Sequence, residues 1–405
     1  MDAVKKELQQ LILSNIDLSR EVRDDELLAM IDETVKRRAQ ESYLSMKEKQ
    51  RLRKDVFNAI RRLDVLQELI EDDSITEIMI NSAKDIFIER KGELIKIEQQ
   101  FESEKKLEDI IQHIVAGSNR IINESNPIVD ARLADGSRVN IVLPPVSIGG
   151  PTVTIRKFSK ETMTMDKLIE LGSINLEAAD FLRKLVIAGY NIFISGGTGC
   201  GKTTFLNALS NYIPNNERII TIEDSAELQI KNIPNIVRLE VKNANVEGRN
   251  QISIRDLIKT SLRMRPNRII VGEVRDASSI DMLQALNTGH CGMSTGHSNS
   301  PVDMLSRIET MVLLGADIPL LAVRKQIASA IDIIIHLGRL RDHSRKVLEI
   351  VEILDCIDGE IEVNPLFRFV EEGIDSRGNI LGKLQRAGGQ LIKRYKLLQS
   401  GLEII

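Results

Sequence analysis

Nine residues set the frame for the whole chain: Gly196, Gly197, Thr198, Gly199, Cys200, Gly201, Lys202, Thr203 and Thr204 read GGTGCGKTT, after the apolar run NIFIS and before FLNALSNYI. Strand, glycine turn and helix in that order make a phosphate-binding loop, which requires Gly196, four residues, then Gly201, Lys202 and Thr203. The glycines let the backbone curl until successive N–H groups face one anion. The helix that follows turns its positive end towards the same phosphates. Lys202 brings a full charge to the β and γ phosphates, and the Thr203 hydroxyl is a ligand for Mg²⁺. ATP and Mg²⁺ are the expected cofactors, with all nine residues in the nucleotide-binding run.

Such a loop belongs at the carboxyl end of a parallel strand, and the surrounding sequence supplies the sheet. From residue 173 onwards, strands NIFIS, RIITI, IVRLEV and RIIVG alternate with helices such as LEAADFLRKLVIAG and SIRDLIKTSLRM. Apolar strands alternating with helices imply an α/β fold, a parallel sheet covered on both faces. Upstream the pattern differs. Residues 1–60 read as charged helices, with apolar stripes at Leu8, Leu11 and Ile12 and at Leu28, Ile31 and Val35. Their basic runs, KRR and KEKQRLRK, read as solvated faces. Residues 61–160 read as a small α+β domain: strands EIMIN, DIFIER and ELIKIE, a helix ending near Gly117, a hairpin around Asp135-Gly136, then TVTIRKF. Residues 161–172 are the expected linker, and 173–405 the nucleotide-binding domain with a C-terminal appendage.

Hydrolysis needs a carboxylate beside the phosphates. RIIVGEVRD places Glu273 at the end of a buried-looking strand, where it can orient and polarise water. TIEDSAEL places Glu223 after another strand, as a Mg²⁺ ligand or helper of that water; capping of the next segment is the competing role. Two of the five histidines, His290 and His297, fall in NTGHCGMSTGHSNSP, which reads either as a sensor of the γ phosphate or as an ordinary loop. Arg132, Arg138 and Arg156 lie outside the nucleotide-binding domain and can supply charge to the leaving phosphate. A two-residue turn would point Arg132 and Arg138 to opposite faces, a longer turn would bring them together, and surface ion pairs are the simpler reading.

Bulk properties narrow the partners. A net charge of −4 and 3% aromatic residues give no reason to expect nucleic acid. No apolar run reaches the length of a membrane span, and charges throughout residues 1–20 leave no secretory signal expected. Three scattered cysteines without a CxxC fit a reducing cytosol.

ITEIMIN, DARLADGSRVN, TIRKF, GGTGCGKTT, TIEDSAEL, IIVGEVRD, NTGHCGMSTGHSNSP and RKQIASAIDIIIHLGRL, in that order, resemble the secretion ATPases of type II and type IV systems, most of all the CpaF/TadA branch of Tad (Flp) pilus assembly. The resemblance implies a RecA-like ATPase domain, a hexameric ring, and a cytoplasmic location peripheral to the membrane, driving an inner-membrane platform protein. It makes GGTGCGKTT the Walker A loop, Glu223 the leading acid of an Asp box, Glu273 the Walker B glutamate, and His290 and His297 members of a His box. It also makes Arg132, Arg138 and Arg156 nucleotide-reaching arginines. Two positions depart from the family pattern: Ser298 stands where alanine is usual, and His343 where glycine is usual.

Overall fold

The computed structural model describes residues 2–16, 20, 22–90, 92–117, 120–158, 163–242 and 250–403, and divides into two compact units, Met1–Lys160 and Glu161–Ile405. In the first, helices α1 (Asp2–Asn15), α2 (Asp24–Glu41) and α3 (Met46–Arg61) form a bundle with its own core of Leu8, Ile12, Leu27, Ile31, Val35, Leu52, Val56 and Phe57. Ile31 and Val35 are buried as expected, Leu27, one turn before Ile31, takes the fully buried position expected of Leu28, and Leu11 is exposed because the inward stripe on α1 is narrower. Part of the basic content is spent on ion pairs between helices, Arg53 to Asp32 at 2.6 Å and Arg61 to Asp24 at 2.8 Å.

The bundle is continuous with α4 (Val65–Glu71), β1 (Ile75–Ser82), β2 (Asp85–Arg90), β3 (Glu93–Lys96), α5 (Glu104–Gly117), β4 (Ile128–Arg132), β5 (Arg138–Val142) and β6 (Thr152–Arg156). These strands make an antiparallel sheet in the order β3-β2-β1-β6-β5-β4. One face carries Ile78, Ile80, Val139, Ile141, Val153 and Ile155 into a core with Leu107, Ile111 and Ile114 of α5. Period-two alternation therefore sends the opposite set outward. Register puts Glu77 opposite Arg156, Arg156 opposite Arg138, and Arg138 opposite Arg132. The three arginines thus stand in one row on the outer face. The turn is longer than two residues: Leu133 N–H bonds Ser137 O at 2.9 Å, Gly136 adopts φ +90°, and the Asp135 carboxylate accepts from Ser137. Those five loop residues decide the register.

The second unit begins with α6 (Met165–Glu170), inside the stretch expected to be a linker; Met165 and Leu168 are buried in its core, so this stretch is part of the domain. Then come α7 (Leu176–Ile187), β7 (Ile192–Gly196), α8 (Lys202–Ser210), β8 (Ile219–Glu223), β9 (Ile236–Glu240), α9 (Ile254–Ser261), β10 (Arg268–Val271), α10 (Ser279–Asn287), β11 (Cys291–Gly296), α11 (Pro301–Gly315), α12 (Leu320–Ala330) and β12 (Ile333–Arg339). The order β12-β7-β11-β10-β8-β9 is parallel throughout, with the loop-bearing strand β7 inside the sheet. An antiparallel extension, β13 (Arg345–Ile357), β14 (Glu360–Ile374) and β15 (Ile380–Arg386), widens the sheet to nine strands before α13 (Tyr395–Gln399).

β11 overturns the reading of NTGHCGMSTGH as a loop. CGMSTG is a central strand, buried from Gly292 to Gly296, without a β-branched run to announce it. Small residues are required there: a Cβ on Gly292 would lie 2.3 Å from Leu286 Cδ2.

Candidate active site

Every residue of β7 is buried, and the strand ends at Gly196 with φ +149°; a Cβ there would lie 2.3 Å from the Leu337 carbonyl oxygen of β12. The chain then turns through Gly199 and Gly201, at φ +72° and +92°, and α8 begins at Lys202. Gly197, Thr198 and Gly199 are exposed, so the loop offers its backbone to solvent at the carboxyl end of the sheet. Cys200 is the exception. Its thiol packs into the core beneath the loop, and burial pushes its pKa up, which leaves the backbone N–H as its means of meeting an anion.

Lys202 reaches back over the loop. Its ammonium donates to Gly196 O at 3.1 Å, Gly197 O at 3.0 Å and His297 Nδ1 at 3.1 Å. Three protons meet three acceptors, which is how a lysine this buried keeps its charge. Burial lowers its pKa, opposed by Cys200 and Glu273. The same contact fixes the imidazole: Nδ1 accepts from Lys202, so Nε2 carries the proton, 3.0 Å from Glu273 Oε1. Burial and the Lys202 charge both lower the His297 pKa, with Glu273 pulling the other way, so His297 is neutral here.

Glu273 follows β10 by two residues. Its neighbours are tied to β11, Val274 N–H to Thr295 O at 3.1 Å and Thr295 Oγ1 to Gly272 O at 2.8 Å. The second carboxylate oxygen, Oε2, lies 2.9 Å from Arg275 Nε, and the same guanidinium meets Asp224 Oδ2 at 2.9 Å. A chain of polar contacts therefore runs Lys202–His297–Glu273–Arg275–Asp224 across the ends of β7, β11, β10 and β8. Glu223 is buried beside it, and its Oε1 accepts from the N–H groups of Glu227 at 2.8 Å and Leu228 at 3.0 Å. The carboxylate thus braces the turn after β8, the competing role weighed for it above.

The donor set suits Mg²⁺. Among the described residues no group of three His, Cys, Asp or Glu forms an all-protein metal cage. Oxygen ligands near an anion loop are what Mg²⁺ uses when substrate phosphates complete its shell. Thr203, in the first turn of α8, and Glu223 would hold it, and bound there it would neutralise charge on the phosphates.

The profile of a family described as "Type II/IV secretion system protein" matches residues 61–378. The chain belongs to that family. It is a family of ATPases. The chain is 31% identical over 295 residues to the conjugal transfer protein TrbB of Rhizobium radiobacter, covering 72% of this chain and 87% of that protein. It is 30% identical over 332 residues to the type IV secretion system protein VirB11 of Bartonella quintana, covering 72% and 92%. Among solved structures, the ATPase DotB of Yersinia pseudotuberculosis superposes with a TM-score of 0.53 at 20% identity, covering 72% of this chain and 78% of that one. The pilus retraction motor PilT with bound ADP gives 0.52 at 19%, covering 84% and 86%. These two likenesses show the fold, α/β.

Within this secretion ATPase the two histidines separate. His297 follows the carboxyl end of β11, while His290 precedes its amino end, contacting Thr288 Oγ1 and Ala285 O at 3.3 Å. A six-residue strand spans roughly 20 Å, so His290 is not brought to the phosphate loop of its own unit. Arg132, Arg138 and Arg156 lie in the first unit, in the row already described. Two site residues escaped the sequence reading. Arg275 was legible as the lone cation two residues after Glu273. His336 carried no signal in its apolar strand; it is buried, its Nδ1 lies 2.9 Å from Ser195 Oγ, and burial lowers its pKa. Among the described residues, no helix is long and apolar enough to cross a membrane.

Proposed function

We propose that this ATPase is a ring-forming motor that turns ATP hydrolysis into work on a membrane-embedded pilus or secretion machine. The observation that carries the reading is the Lys202–His297–Glu273 chain at the mouth of the phosphate loop. In the structure Lys202 is satisfied by loop carbonyls and His297. A polyphosphate offers it stronger, charge-assisted acceptors, and its move releases His297. Glu273 is then left to orient the attacking water. Thr203 and Glu223 are assigned to Mg²⁺, and Arg132, Arg138 and Arg156 to phosphate, on the support of their single row of positive charge.

Within that reading we assign the chain to assembly of a Tad-type pilus through an inner-membrane platform protein, as a hexamer on the cytoplasmic side. The motif order supports this. The names of the TrbB and VirB11 relatives favour a second reading, a motor of type IV secretion. Replacing Lys202 with Ala in the native host decides between them. Loss of surface filaments in electron micrographs, with the protein still expressed, supports the assembly motor. Intact filaments with an altered secreted-protein profile would move the assignment to secretion, and an excess of filaments to retraction.

A further inference from the structure

The turn RLRDHSR, Arg339–Arg345, between β12 and β13 touches the phosphate loop, and the chemistry above makes no use of it. Arg345 Nε donates to the carbonyl of Gly199 at 2.8 Å, and Arg345 Cδ lies 3.5 Å from where a Cβ on Gly201 would sit. The turn that delivers this guanidinium is built rigidly. Leu340 N–H bonds Ser344 O at 2.8 Å, His343 N–H bonds Leu340 O at 2.9 Å, and His343 adopts φ +65°. Asp342 ties the turn to β15: one oxygen accepts from Ser344 N–H at 2.9 Å and Oγ at 2.7 Å, the other from Ile380 N–H at 2.7 Å. Led by the Ile380 N–H, these donors hold the Asp342 pKa down at about 2. On the other side, Val347 N–H bonds Ser173 O and Lys346 Nζ bonds Gly172 O, both at 2.8 Å.

A trans peptide points its carbonyl and the next N–H in opposite directions. Gly199, free of a side chain, has little of its own to fix that plane. Yet an anion cradle needs successive N–H groups on one side of the loop. We propose that Arg345 is a positioning residue for nucleotide binding: it holds the Gly199 carbonyl outward and so keeps the N–H of Cys200 turned to the phosphate chain, with Asp342 anchoring the turn that aims it. The role rests on the ATP-binding reading of the loop and deepens it. ADP and ATP share the phosphates concerned, so Arg345 acts on affinity for both and leaves the chemical step alone.

The test is a titration of the full-length protein with fluorescent ADP, steady-state ATP hydrolysis, and a melting temperature for each ligand-free variant. Arg345→Ala binds ADP about ten-fold more weakly and raises KM to match, the loss of one charge-assisted hydrogen bond. Its kcat stays within about two-fold, because ground and transition states lose the contact equally. Arg345→Gln, an uncharged donor to the same carbonyl, recovers most of the affinity. Asp342→Asn gives an intermediate loss with Arg345 intact. Wild-type affinity in Arg345→Ala overturns the proposal. So does Arg345→Lys restoring binding while Arg345→Gln matches alanine, since charge would then be acting on the nucleotide itself. Failure of the wild type to bind ADP would sink the ATP-binding reading instead.

Discussion

The two edges of the parallel sheet in the second unit both bury charge, and they do so in opposite ways. At the amino edge Arg268, 1% exposed, is held by both oxygens of Glu217 at 2.9 Å and by Val186 O. Beside it Asp332 accepts from Asn191 N–H at 2.7 Å and Lys396 Nζ at 2.6 Å, while the Asn191 side chain bridges Ala330 O and Gly292 N–H. Each ion there meets partners held by regular strands or their flanks. At the carboxyl edge Lys202 is equally satisfied, but two of its three acceptors are carbonyls at the start of a glycine loop, and the third is a half-exposed imidazole. What separates a structural lock from a working site is whether a ligand can offer the ion better partners than the backbone does. At the carboxyl edge the exposed glycine loop leaves room for a phosphate to do so.

The largest effect should come from the carboxyl edge. Glu273→Gln keeps the shape of the Oε1 contact to His297 but removes the base, and turnover should fall about 100- to 10,000-fold. ADP affinity should hold within a few-fold, because the loop and Lys202 are untouched. Steady-state hydrolysis beside fluorescent-ADP titration checks both halves. Turnover near the wild-type rate would remove Glu273 from the chemistry.

The amino edge should answer with stability instead. Arg268→Met leaves Glu217 without its buried cation, a loss of about 3–5 kcal/mol for a pair broken on one side. For a unit of this size that is a drop in Tm of roughly 6–20 °C. Adding Glu217→Gln should return most of it, since the uncompensated charge is gone. A single variant that melts like the wild type, or a double variant no better than the single, would contradict the lock.

How legible these edges were in the sequence differs for a physical reason. The phosphate loop announces itself because positive φ demands glycine and the anion demands Lys202, so identity follows from backbone geometry. Glu273 was legible because it ends an apolar strand. The separation of His290 from His297 was hidden, because β11 is built of small polar residues that fit a crowded sheet centre and resemble a loop. The arginine row was hidden by a turn: Leu133 pairs with Ser137 around residues 134–136, and this three-residue turn sets Arg132 opposite Arg138 on one face, where a two-residue turn would part them. His336 and Arg345 matter through contacts between distant segments, which no local pattern carries.

The smallest expected effect comes through pH. His336, in the strand beside the phosphate loop, is buried against Ser195, and its pKa is lowered from 6.5 chiefly by burial, with Glu349 opposing. The sign follows from which state takes the proton. Below about 6.5 the unfolded chain binds it while the folded protein resists. The neutral imidazole's contribution is therefore complete above that pH and is lost as pH falls towards the lowered folded value. Its slope cannot exceed about 1.4 kcal/mol per pH unit for one group. His297 titrates in the same sense, burial again leading. His336→Gln keeps a polar partner for Ser195 without the titration, so its Tm should fall less than the wild type's between pH 7 and pH 5. Parallel Tm profiles for wild type and His336→Gln would show that acid acts elsewhere.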